Sequence, residues 1–359
     1  MKFIITAGGQ GTKMWPLSRN QKPKQFQPII GDRTLYQLTI ESLLSGFAAE
    51  DIFISTKHKF IGLASQQAPQ IPLKNFIIEP DIALDRGPGE GLAFLRLSLS
   101  CPDEPFMIVQ SDVLHRPVDK FIKMIKDAEK LERRQKKLLT GGIKATAASV
   151  GVDYLQLGAA VDGADDAYEV AKFVPRKKTL KETRDLLNNF HIVTHSNHTT
   201  WYPNLMLEAY RKYRPHWYEA LMKIKDAIGR PGETAAVEKI YASMKKGATE
   251  EVTTPIFDAG QGLVLLLPYQ WTDLGTWNSV YDLMADEGEN YADGKNVVCL
   301  DSSGSLVKAN DGKLTALIGA RDLIVVDTPD ALLVAHKDDV DQIKTLQKYL
   351  AEHNLNEFL

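Results

Sequence analysis

Over the first 110 residues, short apolar runs rich in β-branched residues alternate with stretches whose apolar positions fall three and four apart. Phe3–Thr6, Ile52–Ser55, Phe76–Ile78 and Phe106–Gln110 read as buried strands, with Leu35–Ser45, Phe60–Gln67 and Gly89–Leu99 as helices between them. This alternation predicts an α/β protein with a Rossmann-like, doubly wound mixed sheet, in which ligands collect beyond the carboxyl ends of the strands. The turn at Gly8, Glu79 and Asp112 would all emerge there. Lys120–Lys137 carries Phe121, Ile122, Ile125 and Leu131 at helical spacing, so its cations form the solvated face of a helix. Beyond about Glu289 the pattern changes to closely spaced β-rich runs over Asn296–Ala335, divided by turns at Ser302–Gly304 and Asp311-Gly312. A helical run, Asp338–Glu352, follows. The chain therefore divides into residues 1–288 and a small β-rich unit, 289–359, whose repeats are too few and uneven for a long solenoid.

Composition narrows the function classes. With 43 basic and 46 acidic residues the formal charge is -3, unlike the basic footprint of a general nucleic-acid binder. No apolar run is long enough to span a bilayer, and the first residues enter a strand without a signal peptide, so no membrane association is expected. The two cysteines, Cys101 and Cys299, form no metal-ligand motif and read as reduced core residues of a cytoplasmic protein.

The chemistry concentrates in GGQGTKMWPLSRNQKPKQF, Gly8–Phe26, immediately after the first strand. Gly8, Gly9 and Gly11 leave the backbone open to close approach, and successive N–H groups of such a turn converge on a polyanion. Thr12 and Ser18 add hydroxyls, and Lys13, Arg19, Lys22 and Lys24 add charge. The spacing matches neither a Walker A loop nor a dinucleotide fingerprint, since Met14 stands where a third glycine would be needed. With no dinucleotide fingerprint or catalytic histidine, a dehydrogenase reading has no support. Asp112 leaves the sheet after FMIVQ, and Asp273 sits in WTDLGTW after the apolar run Leu263–Leu267. Either could cap a helix or form a turn; together they would suit a hard cation that also binds phosphate oxygens. Glu79 precedes Pro80 at a strand end, as a surface residue before a turn or as an acceptor pair for the ring N–H and amino donors of guanine.

The Gly8–Phe26 string resembles the signature of the sugar-1-phosphate nucleotidyltransferases, and WPLSR followed by PKQF is most similar to the mannose-1-phosphate guanylyltransferase (GDP-mannose pyrophosphorylase) family. The resemblance extends over nearly the whole chain. It implies a sheet of the nucleotide-diphospho-sugar transferase type and a β-rich C-terminal unit that pairs subunits into a homodimer. It also implies GTP and a sugar-1-phosphate as substrates, with magnesium as cofactor. Carried onto this sequence, it implies that Lys13, Lys24 and Arg176 are catalytic, that Gly8, Gly9, Gly11, Thr12, Glu79 and Arg86 bind nucleotide, and that Asp112 and Asp273 hold the metal. Tyr154, His195 and Asn197 would contact the sugar.

The sequence departs from that pattern mainly on the sugar side. Lys13 replaces an arginine, and Asp85-Arg86-Gly87-Pro88 replaces Arg-Asn-Thr-Ala-Pro. GVDYL at Gly151–Leu155 replaces Gly-Tyr-Gly-Tyr-Ile, so Val152 and Asp153 are altered. FVPRK at Phe173–Lys177 puts Pro175 at a sugar-binding Glu and Arg176 at a phosphate-binding Lys, and His195-Ser196-Asn197 replaces Asn-Ser-Gly. Two functions follow: an active nucleotidyltransferase with an altered sugar pocket, or a non-catalytic relative that binds a nucleotide or nucleotide sugar in a regulatory role.

Overall fold

The computed structural model describes residues 1–9, 11–145, 148–189 and 191–359. The first elements alternate in chain order: β1 (Lys2–Thr6), α1 (Leu35–Leu44), β2 (Ile52–Lys57), α2 (Ile61–Gln67), β3 (Phe76–Glu79), α3 (Arg86–Ser100) and β4 (Phe106–Gln110). Helix α1 starts where Thr34 and Gln37 exchange side-chain and backbone hydrogen bonds in a capping box. Helix α3 begins three residues before the apolar periodicity does, because the Asp85 side chain accepts from the Arg86 N–H. Next come β5 (Val113–Arg116), α4 (Val118–Gln135), β6 (Leu138–Lys144), β7 (Tyr154–Ala160), β8 (Ala167–Val174), α5 (Leu180–Asn189), β9 (Ile192–His195) and β10 (Thr200–Trp201). Four helices, α6 (Pro203–Tyr213), α7 (Pro215–Ala227), α8 (Glu233–Ala242) and α9 (Glu250–Asp258), precede β11 (Gly262–Leu266), β12 (Gln270–Asp273) and α10 (Trp277–Met284).

One ten-stranded sheet, ordered β11-β8-β7-β9-β6-β10-β4-β1-β2-β3, organises the larger part. Strands β3, β2, β1 and β4 are parallel, whereas the short β10 runs antiparallel between β4 and β6. After β1 the chain builds β2 and β3 on one side, then crosses back to place β4 on the other. Strand order reverses between β1 and β4, which opens a crevice at their carboxyl ends. The period-two pattern fixes which face each residue takes: Ile4, Phe106 and Ile108 pack towards α3 and α6–α9, and Phe3, Ile5, Met107 and Val109 towards α1, α2 and α4. Helix α4 buries its expected apolar stripe, and with it Glu132. Among the described residues, no helix is long and apolar enough to cross a membrane.

The C-terminal strands are β13 (Tyr291–Asp293), β14 (Val297–Leu300), β15 (Leu306–Lys308), β16 (Thr315–Ile318), β17 (Leu323–Asp327) and β18 (Leu332–His336), followed by α11 (Ile343–Glu352). Strands β13, β15 and β17 stack in parallel, as do β14 and β16. Each return of the chain thus lays its strands on those of the preceding coil, a short β-helix that β18 closes in antiparallel fashion. The turns at Ser302–Gly304 and Asp311-Gly312 are corners between coils. This unit does not stand apart: Leu306, Ile324, Ile343 and Leu350 share one core with Met14, Trp15, Leu274 and Trp277.

Candidate active site

The glycine turn leaves β1 at the crevice and is held there by side chains. Gln25, 2% exposed, donates to the carbonyls of Ala7 at 3.1 Å and Gly9 at 2.9 Å. Thr56 donates to the Ala7 carbonyl at 3.0 Å, and Ser111, just past β4, to the Thr6 carbonyl at 2.6 Å. Gly11 has φ +58°, and a Cβ there would lie 2.4 Å from Lys24 Cγ. Glycine at this position therefore lets Lys24 lie against the turn, where its ammonium reaches Asp112 Oδ2 at 2.8 Å.

A cavity of about 650 Å³ opens over this turn, within the size range of small-molecule sites. Gly8, Gly9, Gly11, Lys24, Glu79, Arg86, Asp112 and Asn197 all border it, so residues far apart in sequence meet in one cleft. A more open groove of about 740 Å³ runs past Arg116, Lys144 and Tyr269, but neither the glycine turn nor the strand-end acids border it. The chemistry belongs to the smaller cleft.

Glu79 ends β3 inside the cleft. Burial raises its carboxyl pKa, against the Ser55 hydroxyl, which donates at 3.0 Å, and the Lys57 ammonium. Lys57, whose own pKa burial lowers, donates to the Ile82 carbonyl at 2.9 Å. A Cβ on Gly89 would sit 2.8 Å from Glu79 Oε2, so the bare helix start leaves room for this carboxylate. Arg86 spans Glu90 (2.9 Å) and Glu250 (3.0 Å); burial works against its charge, and these two carboxylates more than offset that. Asp85, just before it, has φ +68° and ψ -174°, a conformation that costs a non-glycine residue about 1–3 kcal/mol and bends the chain into the cleft wall.

The ribbon of β5 and β12 brings the two acids near one another, Asp273 at the end of β12 and Asp112 just before β5. Its antiparallel register sets Asp273 opposite Val113, the residue after Asp112, so the two backbones adjoin. The side chain of Asp273 lies outside what the structure describes. Among the described residues, no group of three or more His, Cys, Asp or Glu is arranged to hold a metal.

Other expected residues lie elsewhere. Lys13 is exposed on the 3-10 turn Thr12–Met14, and Thr12 faces a small pocket beside Gln347 and Lys348. Tyr154 and His195, expected at the sugar, are instead core residues. Tyr154 is fully buried, its hydroxyl donating to the Ser149 carbonyl at 2.9 Å. His195 lies among Phe173 and Phe257 with Nε2 2.8 Å from Thr140 Oγ1, and burial lowers its pKa to about 3. Arg176 does not border the cleft: Asp153 takes its guanidinium at 2.8 and 3.2 Å and its backbone N–H at 2.8 Å. The two departures from the family pattern are thus partners of one another. Burial raises the Asp153 carboxyl pKa, but the bonds from Arg176 outweigh it and hold the group below the usual range.

Asn197 reaches the cleft from a turn at φ +59°, with Oδ1 buried and unpartnered. Behind it, Ser196 Oγ lies 2.9 Å from His198 Nδ1, and His198 Nε2 lies 3.1 Å from His115 Nε2 on β5. Gln25, Ser111 and this buried line were not read from the sequence. Gln25 stands within PKQF, the one signal that could have drawn attention to it.

Comparison with known proteins agrees with this fold. The family described as Nucleotidyl transferase matches residues 2–290, and the MannoseP isomerase/GMP-like beta-helix domain matches 295–350. The chain is 30% identical to a mannose-1-phosphate guanylyltransferase of Escherichia coli (strain K12), over 95% of this chain and 71% of that protein. It is 29% identical to the xanthan biosynthesis protein XanB of Xanthomonas campestris pv. campestris (strain B100), with the same coverage of each. Among solved structures, a mannose-1-phosphate geranyltransferase from Thermus thermophilus superposes with a TM-score of 0.86, at 23% identity, over 98% of this chain and 99% of the other.

Proposed function

We propose, for a chain that belongs to the nucleotidyl transferase family, that it condenses GTP with mannose-1-phosphate or a closely related sugar-1-phosphate, giving a GDP-sugar and pyrophosphate. The observation that carries the reading is the Lys24–Asp112 pair beside the glycine turn, in one cleft with Glu79. In the proposed reaction a phosphate oxygen of the sugar-1-phosphate attacks the α-phosphorus, and the bond to the β-phosphate bridging oxygen breaks. No protein nucleophile is required. The work of the chain is alignment and charge compensation.

The N–H groups of the turn would cradle the triphosphate, and Lys24 would face the reacting phosphate. Glu79 would accept from the guanine N–H and amino group as its carboxylate, which burial disfavours and Ser55 and Lys57 support in part. Asn197 would offer its amide to the sugar. Arg176, held by Asp153 away from the cleft, would not grip phosphate directly.

A divalent cation, magnesium in this reading, fits the donor set: two acids on adjoining backbones, with phosphate oxygens to complete an oxygen shell. Asp112 and Asp273 would hold it. When bound it would neutralise charge on the phosphates. The free thiols of Cys101 and Cys299 favour a cytoplasmic setting. The outward face of β14 and β16, where Val298, Leu300 and Ile318 are exposed, would suit a second copy of the chain.

The test is pyrophosphate release from purified protein with magnesium, each nucleoside triphosphate and a panel of sugar-1-phosphates. Release with GTP and mannose-1-phosphate is expected; none with any pair would leave a nucleotide-binding relative.

A further inference from the structure

The basic signature after the glycine turn divides its side chains between two destinations. Lys24 points into the cleft, but Trp15 and Arg19 do not border it. Arg19 Nη2 donates to both oxygens of Asp330 at 3.0 Å, and its Nη1 to the Phe358 carbonyl at 2.8 Å. That same carbonyl accepts from Trp15 Nε1 at 2.7 Å. Gln347, on α11, donates to the Thr12 carbonyl at 2.7 Å, one residue beyond Gly11. Trp277 Nε1 donates to the Trp15 carbonyl at 3.0 Å, and Met14 and Trp15 pack into the core shared with Leu306, Ile324 and Leu350.

We propose that Trp15 and Arg19 are a dock for the C-terminal unit rather than ligand contacts, and that Asp330, Gln347 and the Phe358 carbonyl are positioning groups that hold the glycine turn and Lys24 ready for nucleotide. The inference rests on the nucleotide-cleft reading above. The physical link is continuous. Arg19 and Lys22 exchange backbone hydrogen bonds at 2.9 and 3.0 Å, so fixing Arg19 fixes a tight turn two residues before Lys24. At the other end, Gln347 holds the Thr12–Lys13 peptide, one residue past the left-handed Gly11. The stretch is thus clamped from outside by the C-terminal unit and from inside by Gln25 and Asp112. A guanidinium that engages a carboxylate and a carbonyl through two of its nitrogens carries direction as well as charge, which suits a positioning role.

Loosening the clamp lowers the fraction of molecules whose turn is competent to bind, and apparent affinity falls by that fraction while turnover at saturation is kept. The test compares the full chain with the double variant Asp330→Asn/Gln347→Ala, both changes lying outside the cleft. Three readouts are needed: hydrogen exchange of the segment 8–24, the KM for magnesium-GTP against kcat, and the urea midpoint. Expected are exchange in 8–24 faster by about tenfold, a KM higher by about tenfold and a kcat within about twofold. Arg19→Lys, which keeps charge but loses the planar set of donors, should reproduce part of the KM change. Unchanged exchange and KM would overturn the proposal, as would a lowered urea midpoint with both unchanged. If the parent protein releases no pyrophosphate with any substrate pair, the functional reading falls, and hydrogen exchange alone decides the clamp.

Discussion

Replacing Gly11 with alanine tests the tightest contact in the cleft. Two costs arise together. An L-residue held at φ +58° costs about 1–2 kcal/mol, enough to reduce the population of the native turn by about 5- to 30-fold. The new methyl would also lie 2.4 Å from Lys24 Cγ and 2.9 Å from Lys24 Cβ, so the lysine stem must move away from Asp112. Because each 1.4 kcal/mol is a factor of about ten in rate, the two effects predict a fall in kcat/KM of about 10- to 100-fold. The whole fold should lose at most about 2 kcal/mol, since Gly11 is a half-buried turn residue beyond the end of β1. The assay is pyrophosphate release with GTP and mannose-1-phosphate, beside urea unfolding. In a Lys24→Ala background the Cγ obstacle is gone and only the Cβ contact at 2.9 Å remains, so the stability cost of Gly11→Ala should fall towards the backbone part; a coupling of about 0.5–1 kcal/mol is expected for these groups in contact. Gly11→Ala with turnover within about twofold of the parent would refute the reasoning, because neither the left-handed turn nor the Lys24 contact would then matter.

Three further outcomes follow from the same geometry. Asp112→Asn should lower pyrophosphate release by about 100-fold or more, with the thermal midpoint nearly kept; unchanged release would remove Asp112 from the site. Glu79→Gln should reduce kcat/KM for GTP by about 10- to 100-fold while sparing ATP, the effect of losing a charged acceptor worth about 1.5–3 kcal/mol; equal losses for both nucleotides would show that Glu79 does not read the base. Glu132 is fully buried on α4 with both oxygens unpartnered, and burial lifts its pKa from 4.5 to about 9. The unfolded chain releases this proton near pH 4.5 and the folded chain holds it to about pH 9, so stability declines as pH rises between those values. At about pH 7.5 the penalty is about 4 kcal/mol, roughly three pH units above the unfolded value. Glu132→Gln should therefore raise the urea midpoint most at about pH 8 and least near pH 5, and a pH-independent difference would contradict this.

Much of the fold was legible because alternation dictates sheet faces. Phe3, Ile4 and Ile5 point by turns to opposite layers, and the strand ends carrying Gly8, Glu79 and Asp112 do converge. What pattern does not encode is where a long side chain goes. Arg19 counted with Lys24 as charge for a nucleotide, yet it is bound to the C-terminal unit. Tyr154 and His195 lay at positions matched to a sugar pocket, but each points into the core, and only the three-dimensional pairing of β7 and β9 reveals this. The parallel stacking of the last strands was hidden for a related reason: short runs with turn residues between them look alike whether they fold as hairpins or as coils. Glu132 could have been foreseen. It stands four residues after Ala128 and seven after Ile125, squarely on the apolar stripe of α4.

Asp153 and Arg176 form a reciprocal exchange, and that constrains how these two positions can change. Asp153 is mostly covered, so removing Arg176 alone would leave a shielded carboxylate uncompensated, whereas Arg176 is itself largely exposed and its guanidinium would pass to solvent if Asp153 were lost. The two steps are therefore unequal. Substitution at this pair has a preferred order, in which the carboxylate is lost before the guanidinium or together with it.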